Sequence, residues 1–413
     1  MPRRRLILLL GALYFAQGLP YGFFTQALPV LLREAGYSLT AISATGMLFL
    51  PWAIKFLWAP WVDHRGSRRD WLLPLQIGVV LLALVLSGMP LEGGFVVLFV
   101  ALFLFNILSA TQDIATDGLA VQLLSSKERG LGNGLQVGGY RLGMILGGGL
   151  LLWLYAQAGW AMMLWTMAGL LILTIPPVLS LQEPPCVRPA TPPAQKELLW
   201  TWWARLRRPG MFGFIGLIAA YKFGDTMAAA HIGPMMVDLG LSTADIAIIK
   251  GTIGSAMALA GSALGGWVAW TLPRRTTMLL CGLLQASSLL PFIAAAAGIA
   301  ILPMLWLGAV VESLCGAMAT VALFTLMMDA AETEHGGTDY TLLASVIVLV
   351  MGLALFAGGV VGDALGYQAL LSSGLAGSVA GCLFLVWRLD RGSDVPGLRE
   401  VWAGKAAVAA SKP

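Results

Sequence analysis

Lys222 and Asp225 stand three positions apart in AAYKFGDTMAAAH, residues 219–231, inside an otherwise apolar run. In a helix that spacing places both on one face, where each can offset the other's charge. Similar intrusions recur along the chain. Lys55, Asp113, Arg141, Lys250 and Glu312 interrupt other apolar runs, and Asp117 and Asp329 sit at run ends. An unpaired charge at mid-bilayer costs on the order of 3 kcal/mol, so the seven interior charges would cost roughly 20 kcal/mol. That exceeds the stability of a typical fold. These groups must therefore face one another, water or a ligand, and intramembrane charge by default marks a transport path.

The side chains differ in what they can do. Arg141, in GGYRLGM, keeps its proton, and its planar fork suits a carboxylate or phenolate. It is the leading candidate for an anionic substrate contact; the bland alternative is a bridge to Asp113 or Glu312. Lys222 offers a second cation. Gln17 aligns with it when the two halves of the chain are set in register, and Tyr140 and Tyr221 add polar aromatic surface beside the two cations. Removal from water favours the neutral form of a carboxyl, so Glu312 and Asp225 are candidate proton-coupling groups. Asp113 and Asp117 lie four apart, at the expected inner end of a span, and suit an inner gate. Lys55 and Lys250 are expected to snorkel toward the two membrane surfaces.

The elements that hold these groups follow from composition. The chain has 413 residues, 58% hydrophobic and 11% charged, against roughly 25% charged in an average soluble domain. Apolar runs long enough to cross a bilayer as helices cover about 6–27, 42–62, 71–90, 95–115, 130–157, 161–181, 211–232, 245–270, 276–297, 301–328, 338–364 and 367–388. The runs lack the alternation of barrel strands, which leaves helices. An all-α integral membrane protein of twelve transmembrane helices is predicted. The basic, apolar start MPRRRLILLL lacks a clean cleavage site and reads as an uncleaved first span. Cys186, Cys281, Cys315 and Cys382 have no metal-ligand spacing, so neither a metal site nor a disulfide framework is expected.

Lys and Arg collect on one side of this threading, and Arg33 alone falls on the other. The positive-inside rule then places both termini in the cytoplasm. The bias orients the chain and accounts for the net charge of +4; it gives no nucleic-acid surface. Residues 182–210 are rich in proline and basic side chains and read as a cytoplasmic linker with an interfacial helix over 196–208. The expected organisation is a six-helix bundle over 1–181, that linker, a second bundle over 211–390 and a cytoplasmic tail over 391–413. PVLLREAGYSLTAI (29–42) resembles PMMVDLGLSTADI (234–246), so the halves read as a parallel repeat.

That six-plus-six repeat is the architecture of the major facilitator superfamily. WVDHRGSRRDWLL (61–73) resembles the superfamily's loop between spans two and three, although Ser67 is an extra residue before Arg68. The resemblance implies a cytoplasmic gate built on Asp63, Arg68 and Arg69. IKFLWAPWVD (54–63), SATQDIATDG (109–118), ERGLGNGLQVGGYRLGM (128–144), AYKFGDTM (220–227), IIKGTIG (248–254) and ESLCGAM (312–318) look like the AmpG-like permeases, which include muropeptide importers of Gram-negative bacteria. LYFAQGLPYGFFTQALPVLLREAGYSLTAIS (13–43) looks closer to the RhtX/FptX-type siderophore permeases. This second resemblance implies proton-driven import of a siderophore, such as a ferric pyochelin-like chelate, across the bacterial inner membrane, with muropeptide import as the alternative.

Other classes fit poorly. His64, His231 and His335 are the only histidines, and none has a nucleophile and base beside it, so an enzyme is not expected. No nucleotide-binding motif occurs, which argues against an ATP-driven pump. The partners expected are a small-molecule substrate, protons and the lipid bilayer, with no cofactor and a monomeric chain.

Overall fold

A computed structural model describes residues 3–35, 45–89, 95–181, 183 and 195–402. The linker residues 182 and 184–194, the tail beyond 402, and residues 36–44 of the first repeat motif lie outside the described residues. Each of the twelve predicted spans is helical along most of its described length, and no strand occurs among the described residues. Among the described residues, eight helices are long and apolar enough to cross a membrane. Two of these are double. Arg129–Leu179 breaks at Gly159 (φ 79°), and Thr333–Asp390 breaks at Gly366 (φ 78°). A positive φ is accessible to glycine without steric cost, and the two breaks fall between the fifth and sixth spans of each half.

The remaining predicted spans are Met211–Ala229, which carries Lys222 and Asp225, and a segmented stretch over 45–64. That stretch passes from a 3-10 turn (Thr45–Phe49) through Leu50–Ile54 and a second 3-10 turn (Lys55–Leu57) to Ala59–His64. Pro51 and Pro60 each remove a backbone donor there. The fourth span, expected to end near residue 115, runs on as Phe95–Leu123. Asp113 and Asp117 therefore lie inside a helix rather than at its end. The polar sequence SATQDIATDG ends the apolar run but not the helix, because its side chains are buried in protein.

The chain divides into two compact units. The first comprises Met1–Leu123, Gly138–Trp202 and Thr333–Thr341; the second comprises Leu124–Val137, Trp203–Glu332 and Leu342–Pro413. These differ from the two sequence halves by an exchange of segments: 124–137 packs in the second unit and 333–341 in the first. In the first unit, Leu19, Phe23, Phe24, Phe105, Met163 and Met167 form the main apolar core. Gly18 and Gly22 lie against the backbone of Tyr140 and Met144, so the first and fifth spans meet at main-chain distance. Both helices carry a π-helical turn nearby, Phe23–Ala27 and Leu146–Leu150.

The second unit centres on Ile232, Met235, Met236, Leu289, Phe292 and Leu305. Small residues again set the approach: Gly224 lies against Gly374, Gly377 and Ser378, and Gly261 against Leu314. Leu349, Leu353, Phe356, Trp153 and Trp165 are more than half exposed or close to it, as side chains turned to lipid would be.

Candidate functional site

In the first unit two of the interior charges, Lys55 and Asp113, are paired with each other. Lys55 Nζ bonds Asp113 Oδ2, and Lys55 is 4% exposed. Lys55 therefore does not snorkel to the cytoplasmic surface as expected: its turn, Lys55–Leu57, aims the ammonium at the helix Phe95–Leu123. One turn on, the hydroxyl of Tyr14 donates to Asp117 at 3.1 Å. Tyr14 and Asp117 are both buried. The repulsion expected between Asp113 and Asp117 is thus met by a cation on one and a phenol on the other.

Beside this network lies an aromatic group. Tyr21 packs edge-on to Trp52 (centroids 6.4 Å) and tilted against Tyr140 (5.4 Å), and Lys55 lies 5.3 Å from the Trp52 ring. Trp52 and Trp58 are anchored through their indole N–H groups to Asn106 and Thr111. Arg141 follows Tyr140 on the fifth span. It is exposed, stands within electrostatic range of Tyr21 and Tyr140, and makes no ion pair or hydrogen bond among the described residues. The bridge from Arg141 to Asp113 is not formed; Asp113 is held by Lys55 instead. Gln17 is 2% exposed, and its Nε2 has no hydrogen-bond partner among the described residues.

The loop motif is also in the first unit. Asp63 holds the Arg68 guanidinium and accepts from the backbone amides of Gly337 (3.1 Å) and Thr338 (2.6 Å) and from the Thr338 hydroxyl (2.5 Å). A carboxylate there satisfies free amides at the start of the helix beginning at Gly336 and complements its dipole. Ser67, the residue extra to the family pattern, is the N-cap of Arg68–Ser87. It forms a capping box with Asp70, accepting from the Asp70 amide at 3.1 Å and donating its own amide at 2.7 Å. Arg69 plays no comparable part through its side chain, which is exposed. Its backbone amide donates to Glu183 at 2.6 Å.

In the second unit, Lys222 Nζ donates to Asp225 Oδ2 at 2.7 Å, as the spacing predicts. Asp225 Oδ1 accepts from Gln285 Nε2 at 2.5 Å. Tyr221, Lys222, Asp225, Gly282, Gln285, Ala319 and Ser378 line a small pocket. Glu312 lies on the helix Ile301–Ala330, half-buried and within electrostatic range of Lys250. Lys250 occupies the π-helical turn Ala247–Ile253 and is exposed. Cys281, Cys315 and Cys382 are buried free thiols, and Cys186 lies outside the described residues.

A second polar cluster in this unit escaped the sequence reading. Asp329 is fully buried and receives Arg129 at 2.9 Å and Arg274 at 2.6 Å. Arg274 also donates to the carbonyls of Ala269 (2.5 Å) and Ser126. Arg129 and Arg274, two of the basic residues that orient the chain, thus also hold a buried carboxylate, and the sequence signal for it is Asp329 at the end of an apolar run. The helix expected over 196–208 is present as Gln195–Leu206.

Comparison with known proteins gives the chain's family and fold. The Major Facilitator Superfamily profile matches residues 10–338. The anhydromuropeptide permease of Escherichia coli (strain K12) is 31% identical over 408 residues, covering 93% of this chain and 79% of that protein. A putative transporter AmpG 4 of Rickettsia conorii is 26% identical, covering 79% of this chain and 83% of its own. Among solved structures, the human organic anion transporter MFSD10 (TETRAN) superimposes with a TM-score of 0.72 at 16% identity, over 93% of this chain and 100% of that one; this shows the fold. None of these relatives carries the expected link to siderophore permeases. The chain belongs to the major facilitator superfamily, in its AmpG-like permease branch, and is a multi-pass transporter of a small molecule rather than an enzyme.

Proposed function

We propose that this protein imports an anhydromuropeptide-class solute, driven by protons, across the inner membrane of a Gram-negative bacterium. The observation that carries the reading is Arg141. It is a permanent cation beside the Tyr21–Tyr140–Trp52 group, with no carboxylate of the described residues to neutralise it. A muropeptide offers what such a site lacks: peptide carboxylates for a planar guanidinium and sugar faces to lie on aromatic rings. The relative named for anhydromuropeptide transport supports this substrate over a siderophore.

Lys222 is the second substrate cation in this reading, and Asp225 its exchange partner. While Asp225 is ionised it holds Lys222. Once it takes a proton the ion pair dissolves and Lys222 is free for a substrate carboxylate. Glu312, near Lys250, is a second coupling carboxyl. Gln17, Tyr140 and Tyr221 supply neutral polar contacts. The Asp63–Arg68 group on residues 336–338 and the Asp329 group on residues 126–129 serve as cytoplasmic latches, each of which must release when the inner side opens. Asp113 and Asp117 shape the path between latch and site. The excess of basic residues on one side of the threading supports an orientation with both termini in the cytoplasm.

The test is growth and uptake in a strain deleted for this protein. Restored anhydromuropeptide recycling, abolished by an uncoupler, supports the reading. Restored growth on a ferric siderophore as sole iron source, with no effect on muropeptides, would replace it.

A further inference from the structure

Gln285 bonds Asp225 of the Lys222–Asp225 pair and lines the same pocket as two buried hydroxyls that have no hydrogen-bond partner among the described residues. Its Nε2 donates to Asp225 Oδ1 at 2.5 Å, while its Oε1 has no hydrogen-bond partner among the described residues. The Tyr221 hydroxyl and Ser378 Oγ are in the same condition. All three side chains are more than nine-tenths buried: Gln285 is 4% exposed, Ser378 4% and Tyr221 6%. They line one pocket with Lys222, Asp225, Gly282 and Ala319, and it has room for about one water. A buried polar atom left unpaired forfeits its hydration with nothing in return. Three around one pocket, next to a carboxylate, describe a place made for a small hydrogen-bonding species.

Gly316 adds an independent observation. A Cβ at this position would stand 2.9 Å from Gln285 Oε1 and 3.6 Å from Nε2. The glycine leaves free the space in which the Gln285 amide turns. Turning matters because an amide, without changing its own charge, can serve both states of a carboxyl. Its N–H donates to a carboxylate, and after a half-turn its C=O accepts the O–H of a carboxylic acid. The groups facing Asp225 and the pocket are Lys222 and Tyr221 on its own helix, Gln285 and Cys281 on Arg274–Ser287, and Cys382 on the last span.

The geometry points to Gln285 as a positioning residue that follows the protonation of Asp225, with the pocket of Tyr221, Gln285 and Ser378 as the port through which the proton arrives. A hydronium ion in the pocket passes one proton to Asp225 Oδ1 and leaves as water. The carboxylate becomes a neutral acid, the Gln285 amide turns, and its Oε1 accepts the new O–H. Lys222 then lacks its counter-charge. This rests on the proton-driven part of the proposed function and not on the identity of the solute.

The test therefore avoids transport. Acid-minus-alkaline infrared difference spectra of the purified full-length protein report the C=O stretch of protonated carboxyls, and its shift on transfer to deuterium oxide reports proton exchange. The expected result is a band lost in Asp225→Asn. Its frequency moves in Gln285→Leu and in Gly316→Ala. Its exchange slows by roughly tenfold or more in Ser378→Ala and in Tyr221→Phe, and Ser378→Thr restores it. Ser378→Ala and Tyr221→Phe each delete a single oxygen, so they carry the test even where Gln285→Leu fails to fold. A difference spectrum unchanged by Asp225→Asn overturns the proposal, as does a band of the same frequency and exchange rate in all the pocket variants. A band that behaves as expected in protein that takes up no anhydromuropeptide supports the proton port and counts against the substrate reading alone.

Discussion

Asp63 Oδ2 accepts both the backbone amide of Thr338, at 2.6 Å, and its hydroxyl, at 2.5 Å. The same carboxylate holds Arg68, so one side chain caps a helix start and neutralises a buried guanidinium. Removing it leaves Arg68 buried without its counterion. Breaking a buried pair costs about 3–5 kcal/mol, so Asp63→Ala should lower thermal stability in detergent by that order. Thr338→Val, which loses only the hydroxyl, should cost about 1 kcal/mol. If Asp63→Ala melts as the wild type does, the latch contributes nothing in the folded protein.

Lys55 and Asp113 make a second buried pair, and here the double variant is informative. Lys55→Ala and Asp113→Ala should each destabilise by about 3–5 kcal/mol. Lys55→Met with Asp113→Leu should recover much of that loss, because a well-packed apolar replacement of a buried pair is often neutral. Additive losses in the double variant would mean that the two side chains do not depend on each other.

Arg141 differs from both pairs in having no ion-pair partner among the described residues to abandon. Arg141→Ala should leave the thermal midpoint within the scatter of surface substitutions, about 0.5 kcal/mol, and should abolish uptake. Arg141→Lys should restore part of it at most, since a lysine lacks the bidentate fork. A large drop in stability on Arg141→Ala would mark the residue as structural.

The departure of the loop from the family pattern has its own test. Ser67 caps the helix Arg68–Ser87 through its hydroxyl, so Ser67→Ala should cost about 1 kcal/mol. Ser67→Asp or Ser67→Thr should retain most of the stability. Equal melting of Ser67→Ala and wild type would remove the capping role.

The spans were legible because hydropathy is a local property, and the same is true of Lys222–Asp225, whose three-residue spacing predicts the bond that forms. Lys55–Asp113 was not legible, since 58 positions separate the partners and nothing in the sequence says which turn faces which helix. The end of the fourth span was misplaced for a related reason. Polar residues in SATQDIATDG look like a helix terminus in a hydropathy profile, yet they are the helix's inward face. Gln285 and Ser378 gave no signal, because a neutral polar side chain in an apolar run stands out only where it aligns with a charge in the other half, as Gln17 does with Lys222. The motif at 61–73 was legible in residue type. Its extra serine became intelligible only as a helix cap.

The most direct test of the account is uptake of radiolabelled anhydromuropeptide into proteoliposomes containing the purified protein, with an imposed proton gradient. The account predicts accumulation that follows the gradient, collapses with an uncoupler, and is lost in Arg141→Ala while that variant remains folded. Uptake that ignores the gradient, or that persists in Arg141→Ala, would contradict it, as would accumulation of a ferric siderophore in place of the muropeptide.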